Sequence, residues 1–241
     1  MSCCVSNYLA SHLHSQRLSQ YTFDGPYTFN DNERKHNINT INIKCERIMF
    51  RDLTFTSIHS IYNLFEAIKI TDGLMNVIFE NCVWNVQVQI PSIVCYAIQF
   101  IRCKFNSKHI ESIQQFAEFG SNSASSPICR YMSFRYCEGI WRSEHCERPT
   151  FNRLPSLQAI CFDRSNAIDM INITGIANDC PKLGNIVISN CVMYRHKCEQ
   201  YNQVVTNCSS FDKFTISNTR VFDSPLHDEN IVRNATICYN E

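Results

Sequence analysis

Along the chain one apolar pattern returns seven times: an apolar residue, a second three positions later, and a Phe or Ile two positions after that. The copies occupy residues 45–50, 74–79, 95–100, 129–134, 157–162, 183–188 and 211–216. The last residue of each, here called the anchor, falls at 50, 79, 100, 134, 162, 188 and 216, in steps of 29, 21, 34, 28, 26 and 28. Periods of this size mark units that cannot bury an apolar face alone and must stack on their neighbours. The step of 21 leaves no room for a long helix, and the step of 34 holds an insert-like stretch at residues 120–127; loops absorb such irregularity.

Inside each copy buried and open positions alternate, as in Val77-Ile78-Phe79 and Phe214-Thr215-Ile216, and Ile, Val and Phe dominate. That combination predicts a short strand. Between copies the spacing turns helical, in Ile58, Ile61, Tyr62, Phe65 and Ile68, and again in Ile110, Ile113, Phe116 and Ala117, where Ser107 can cap. Each unit is therefore expected to be strand, turn and usually helix. Three residues past the anchor stand Cys82, Cys103, Cys137 and Cys191, with Leu53, Ser165 and Thr219 in the other copies. A strand that ends abruptly leaves backbone groups facing inward, and a small, weakly polar side chain can fill that corner, so these residues should stack as a ladder.

The copies resemble the leucine-rich-repeat family, whose motif Leu-x-x-Leu-x-Leu-x-x-Asn/Cys-x-Leu is followed with Phe and Ile often in place of Leu. The nearest copy is Asp179-Cys-Pro-Lys-Leu-Gly-Asn-Ile-Val-Ile-Ser-Asn-Cys191, and the resemblance is to the cysteine-containing subclass found in the repeat regions of ubiquitin-ligase substrate receptors. It covers roughly residues 38–224; at the fifth position past the anchor Gly139 and Ala167 depart from it. It implies an α/β solenoid, with a parallel sheet on the concave face and helices or loops on the convex face. A right-handed parallel β-helix is the structural alternative, since it also stacks Asn, Cys and Ile ladders. About seven repeats would fill 38–224, with caps from 1–37 and 225–241 covering the ends of the stack. The first flank offers a helix over 5–18 followed by the aromatic run 21–29, and the second offers Ile231, Val232 and Ile237.

If the middle and anchor positions point inward, alternation sends their neighbours to the open sheet face. Arg and Tyr gather there in the central copies, and both are enriched among binding hot spots. Arg51, Arg102, Tyr131, Arg135, Tyr136 and Arg164 are accordingly the expected contact residues for a protein partner.

Composition narrows the function further. Lys and Arg total 22 against 22 Asp and Glu, with no block of like charge, which disfavours a phosphate-tracking nucleic-acid binder. Residues 1–20 lack the apolar run of a secretory signal, and no stretch of about 18 apolar residues could span a bilayer. A soluble, cytoplasmic protein is expected, in which the 15 cysteines stay reduced and the Asn-X-Ser/Thr triplets at Asn172, Asn207 and Asn234 are fortuitous.

Six glycines cannot assemble a phosphate-cradling loop or a dinucleotide fingerprint, and neither Gly-x-Ser-x-Gly nor His-Glu-x-x-His occurs. Without a Cys-x-x-Cys, the neighbours His145-Cys146 and His196-Lys-Cys198 make poor zinc ligands. No cofactor, metal or catalytic residue is expected. The function expected is non-catalytic protein binding through the concave sheet, as an adaptor; the family resemblance adds a ubiquitin-ligase substrate receptor as one alternative. A polysaccharide-active β-helix enzyme is the other, and it requires Asp52, Glu80 and Asp163 to converge.

Overall fold

Each of the seven copies forms a strand, and the seven lie side by side in one parallel sheet. The computed structural model describes residues 18–29, 41–43, 45–70, 74–90, 93–107, 113–120, 127–142, 146, 148–167, 175–194, 204–222, 229–232 and 235–238. In chain order the first elements are β1 (Leu18–Phe29), β2 (Ile41–Ile43), β3 (Cys45–Phe55), the helix α1 (Ile58–Ala67), β4 (Ile68–Ile70), β5 (Asn76–Glu80) and β6 (Val83–Trp84). Then come β7 (Ala97–Ile101), β8 (Lys104–Phe105), β9 (Tyr131–Arg135), β10 (Phe151–Asn152), β11 (Ala159–Asp163), β12 (Asn166–Ala167) and β13 (Ala177–Asn178). The last are β14 (Asn185–Ser189), β15 (Val192–Tyr194), β16 (Val205–Thr206), β17 (Lys213–Ser217), β18 (Thr219–Phe222), β19 (Glu229–Val232) and β20 (Ala235–Cys238).

The main sheet runs β3-β5-β7-β9-β11-β14-β17, and each of these strands is a rung of the stack. Register is exact in the sense that matters for packing: Ile48, Val77, Ile98, Met132, Ile160, Ile186 and Phe214 are successive partners, all buried. One residue pair further on, the anchor rings form a second column. Phe23, Phe50, Phe79, Phe100, Phe134 and Phe162 stack nearly parallel at 5.2, 5.1, 5.2, 4.8 and 5.0 Å. Those spacings match the roughly 4.8 Å between neighbouring strands, so in-register pairing itself brings the rings face to face.

Two residues past each anchor the backbone turns left-handed. Asp52, Asn81, Arg102, Tyr136, Arg164, Asn190 and Asn218 all have φ between 46° and 57°. This corner ends the rung and starts a second wall, in which Thr54–Phe55 of β3 pairs with β6 and β6 with β8. Bridges from Lys104 to Glu138 and from Glu138 to Asn166 carry that wall on to β12, β15 and β18. A third wall joins β10, β13 and β16, with Phe119 bridged to Phe151, and it ends at a second left-handed corner, Arg153, Asp179 and Asn207.

The corner explains the cysteine ladder. The Cys82, Cys103, Cys137 and Cys191 thiols lie 3.3, 3.3, 3.4 and 3.5 Å from the anchor carbonyls of Phe50, Phe79, Phe100 and Phe162 in the preceding rung. Ser165 makes the same contact to Phe134 at 3.1 Å, and its oxygen accepts the Cys137 N–H. Side chain and backbone thus satisfy each other where the left-handed turn interrupts the strand ladder. Burial raises the Cys103 and Cys137 thiols well above the ordinary range and the Cys191 thiol to about 11, so these groups serve as neutral donors.

Two expectations are corrected. Helices do not line the convex side: among the described residues the walls opposite the main sheet are short strands, and α1 is the one helix. It begins where Ser57 accepts the His59 N–H, and it buries Ile61, Leu64 and Phe65. The helix expected over Ile110–Ala117 is absent from residues 113–117, which are extended, with Gln115 bridged to Arg142 and Ala117 to Val88; residues 108–112 lie outside those described. Phe116, Ala117 and Phe119 are all buried there, with Phe116 packed on Phe105 and Phe119 on Phe151. In the N-terminal flank, β1 lies on the first rung, paired in parallel with β3 and with Phe23 opposite Phe50. Residues 5–17 of the expected N-terminal helix lie outside the described residues. At the other end, β19 and β20 pair antiparallel with β18 and β17 and close the parallel array.

Candidate functional site

The six residues expected to contact a partner spread over four rungs at the sheet face and its C-terminal corner. Arg51 lies on β3 and joins Glu80 of the next rung at 2.9 Å and Asp24 of β1 at 3.7 Å. Glu80 also takes Arg102 at 3.5 Å. Arg135 meets Asp163 of the neighbouring rung at 3.7 Å. Tyr131 stands at the opposite, N-terminal edge, its hydroxyl 3.1 Å from the Gln158 side-chain oxygen and its ring 5.0 Å from that of Tyr96.

The sequence reading set Arg102, Tyr136 and Arg164, each two past an anchor, on the open face; the left-handed turn puts them at the corner that ends the strand. There they form a compact unit. Arg164 donates to the Tyr136 hydroxyl, and the guanidiniums of Arg164 and Arg102 lie 5.5 and 6.0 Å from the centre of the Tyr136 ring. The ring is therefore held between two cations across three consecutive rungs, in the geometry of cation–π attraction. Arg102 and Tyr136 are 65% and 42% exposed, and Arg164 is exposed as well.

The backbone makes this column unusual. Left-handed φ costs a residue with a Cβ about 1–2 kcal/mol, a cost that Asn and Asp offset by local hydrogen bonds. Asp52, Asn81, Asn190 and Asn218 fill the outer rungs of the same column, and Asn81 donates to Asp52. The three central rungs carry Arg, Tyr and Arg, whose side chains give the turn no such relief.

At the N-terminal edge a second group was not anticipated. Arg130 sits 5.7 Å from the Tyr96 ring, beside exposed Met75, Val94 and Ile128. Hydrogen bonding to Tyr131, ahead of burial, raises the Tyr96 phenol above its ordinary value. The signal lay in the second residue of three copies, Met75, Tyr96 and Arg130, and in Val94 and Ile128 just before two of them, none of which the three-position motif scores.

The carboxylates do not converge. Glu80 and Asp163 are three rungs apart, about 14 Å at sheet spacing, and each is engaged by its own arginines. Burial works against the charge on Asp163, but hydrogen bonds from Asn190 and Ser189, at 3.0 Å each, with the guanidiniums of Arg164 and Arg135, hold its carboxyl below the usual range. An ionised, saturated carboxylate has no proton to give as a general acid.

Among the described residues no group of three or more His, Cys, Asp or Glu is placed to hold a metal ion. Cys146 is buried with its thiol 3.4 Å from the Arg148 carbonyl, while His145 and residues 196–198 lie outside the described residues. Of the three glycosylation triplets only Asn207 is described, and it occupies a left-handed corner. No helix among the described residues is long and apolar enough to cross a membrane. No family model matches the chain, and neither a curated protein nor a solved structure matches it.

Proposed function

We propose that this chain is a non-catalytic scaffold that binds a protein partner across the exposed face of the main sheet, centred on Arg102, Tyr136 and Arg164. The supporting observation is the choice of Arg, Tyr and Arg at three adjacent left-handed positions, where Asn or Asp serves the rungs on either side. Backbone strain held by exposed side chains is a feature of binding surfaces, and Tyr and Arg are the residue types that dominate binding energy. The flanking ion pairs of Arg51, Glu80, Arg135 and Asp163 orient these side chains before a partner arrives, which lowers the entropy lost on binding.

The reading holds for either member of the solenoid class. Strand-built walls fit a right-handed parallel β-helix, while α1 and the cysteine column fit a leucine-rich repeat. The polysaccharide-active alternative is less favoured because its required acids stand apart and are saturated. A ubiquitin-ligase receptor would add a docking element in residues 1–20, and residues 1–17 lie outside those described. A reducing, cytoplasmic setting belongs to the proposal, since the ladder functions through free thiols.

The test is affinity capture from the native cell with the wild type and with R102N/Y136N/R164N, which keeps the corner's backbone preference. The scaffold reading expects the variant to remain folded and to lose wild-type partners by at least about tenfold, as expected for hot-spot residues. An unchanged set of captured proteins would contradict it.

A further inference from the structure

The second left-handed corner carries a thiol pair unlike those of the main ladder. Asp179 and Asn207 are the corner residues of two adjacent coils, and Cys180 and Cys208 follow them. The strands before them are in register, Asn178 opposite Thr206, and the Asp179 N–H continues the pairing to the Thr206 carbonyl at 3.1 Å. After them both chains make the same turn, with Leu183 and Phe211 each donating to the cysteine carbonyl at 3.0 Å. The two cysteines are therefore partners in consecutive coils, about 4.8 Å apart along the backbone, inside the range of separations that a disulfide spans.

Exposure separates this pair from the others. Cys82, Cys103 and Cys137 also stack, but all are buried, as are Cys95 and Cys129. Cys180 is fully buried, whereas Cys208 is half-buried beside exposed Asn207, Ser209 and Ser210. The Cys180 thiol lies 3.4 Å from the Asn178 carbonyl; the two sulfurs also share a hydrogen bond, and the Cys180 backbone N–H approaches the outer one. These bonds draw the Cys208 thiol below its ordinary value and, with burial, push Cys180 up. One sulfur is thus outside, accessible and favoured as thiolate, and the other waits behind it.

We propose that Cys180 and Cys208 form a redox-active pair, in which Cys208 attacks a low-molecular-weight disulfide and Cys180 then closes the inter-coil disulfide. In the first step the Cys208 thiolate bonds to one sulfur of the reagent, whose S–S bond breaks and releases one thiolate. In the second, Cys180 gives its proton to that thiolate and its sulfur bonds to Cys208, expelling the second thiolate, which takes up the proton that Cys208 released to solvent on ionising. Two protein thiols are oxidised and one reagent disulfide is reduced to two thiols, so electrons and protons balance.

Folded full-length protein is treated with glutathione disulfide, quenched in acid, alkylated, digested and mapped by mass spectrometry. The wild type is expected to yield a Cys180–Cys208 cross-linked peptide with loss of both thiols. C180S, whose hydroxyl can replace the thiol facing the Phe151 carbonyl, is expected to stop at a glutathione adduct on Cys208, and C208S to leave Cys180 reduced. A glutathione adduct that persists on wild-type Cys208, an unmodified Cys208, or reaction of Cys180 in C208S would each overturn the proposal. Wild-type mapping alone decides the closing step, so a variant that fails to fold leaves the test intact.

Discussion

The Cys103 thiol lies 3.3 Å from the carbonyl oxygen of Phe79, one rung away, and accepts the Cys82 backbone N–H in return. A side chain at this corner therefore completes two backbone groups that the left-handed turn takes out of the strand ladder. Replacing Cys103 by Val keeps the volume and removes both bonds. A loss of about 1–3 kcal/mol is expected for the stranded groups, read from the urea midpoint. Cys103→Ser should cost less, since Ser165 already fills the same position with a hydroxyl.

The phenylalanine column makes a graded prediction. Phe100 has stacked rings on both sides, at 5.2 and 4.8 Å, whereas Phe162 stacks on Phe134 and meets Ile188 on its other side. Phe100→Ala should cost about 3–5 kcal/mol, and Phe162→Ala less, by chemical denaturation. Equal costs would mean that ring stacking adds nothing to burial.

How far the sequence reveals this fold is clearest in these two columns. Apolar spacing locates all seven rungs, because burying a residue every second position along a strand leaves a direct trace in the sequence. The small residue three past six of the seven anchors, Leu53 being the exception, also signals its corner. The walls were not legible in the same way: a two-residue strand such as Val83–Trp84 has no periodicity to detect, and Ile113, Phe116 and Ala117 keep helical spacing while lying extended between neighbours. The left-handed corner was visible in Asp52, Asn81, Asn190 and Asn218, residue types that favour positive φ. Arg102, Tyr136 and Arg164 obscure that signal, so they read as face residues and not as corner residues. Gly139, a departure from the repeat motif, has a local reason: a Cβ there would come within 2.2 Å of the Phe105 carbonyl oxygen.

Strain at the corner predicts that binding and stability oppose each other. Arg102→Asn relieves a left-handed residue and gives up an ion pair that is 65% exposed on the arginine side, which is worth little. A net gain of about 0.5–1 kcal/mol is expected, measured by thermal and urea unfolding. Destabilisation by more than about 1 kcal/mol would show that the side chain supports the fold instead.

Asp163 sets an acid limit. Its carboxyl is held below the ordinary aspartate value in the folded state, so its contribution to stability is present above the unfolded value of about 3.9 and is lost as pH falls through the folded value. Stability measured from pH 6 downward should fall less steeply in Asp163→Asn than in the wild type. Parallel curves would contradict the assigned network with Asn190, Ser189, Arg164 and Arg135.

All of this depends on seven rungs stacked in register, and a distance between the first and last of them tests that directly. Arg47 and Lys213 are joined through successive partners by six strand spacings. Nitroxide labels attached at these two positions by non-cysteine chemistry should give a pulsed-EPR distance centred near about 29 Å. A distribution centred below about 20 Å, or one too broad to have a centre, would contradict the stack.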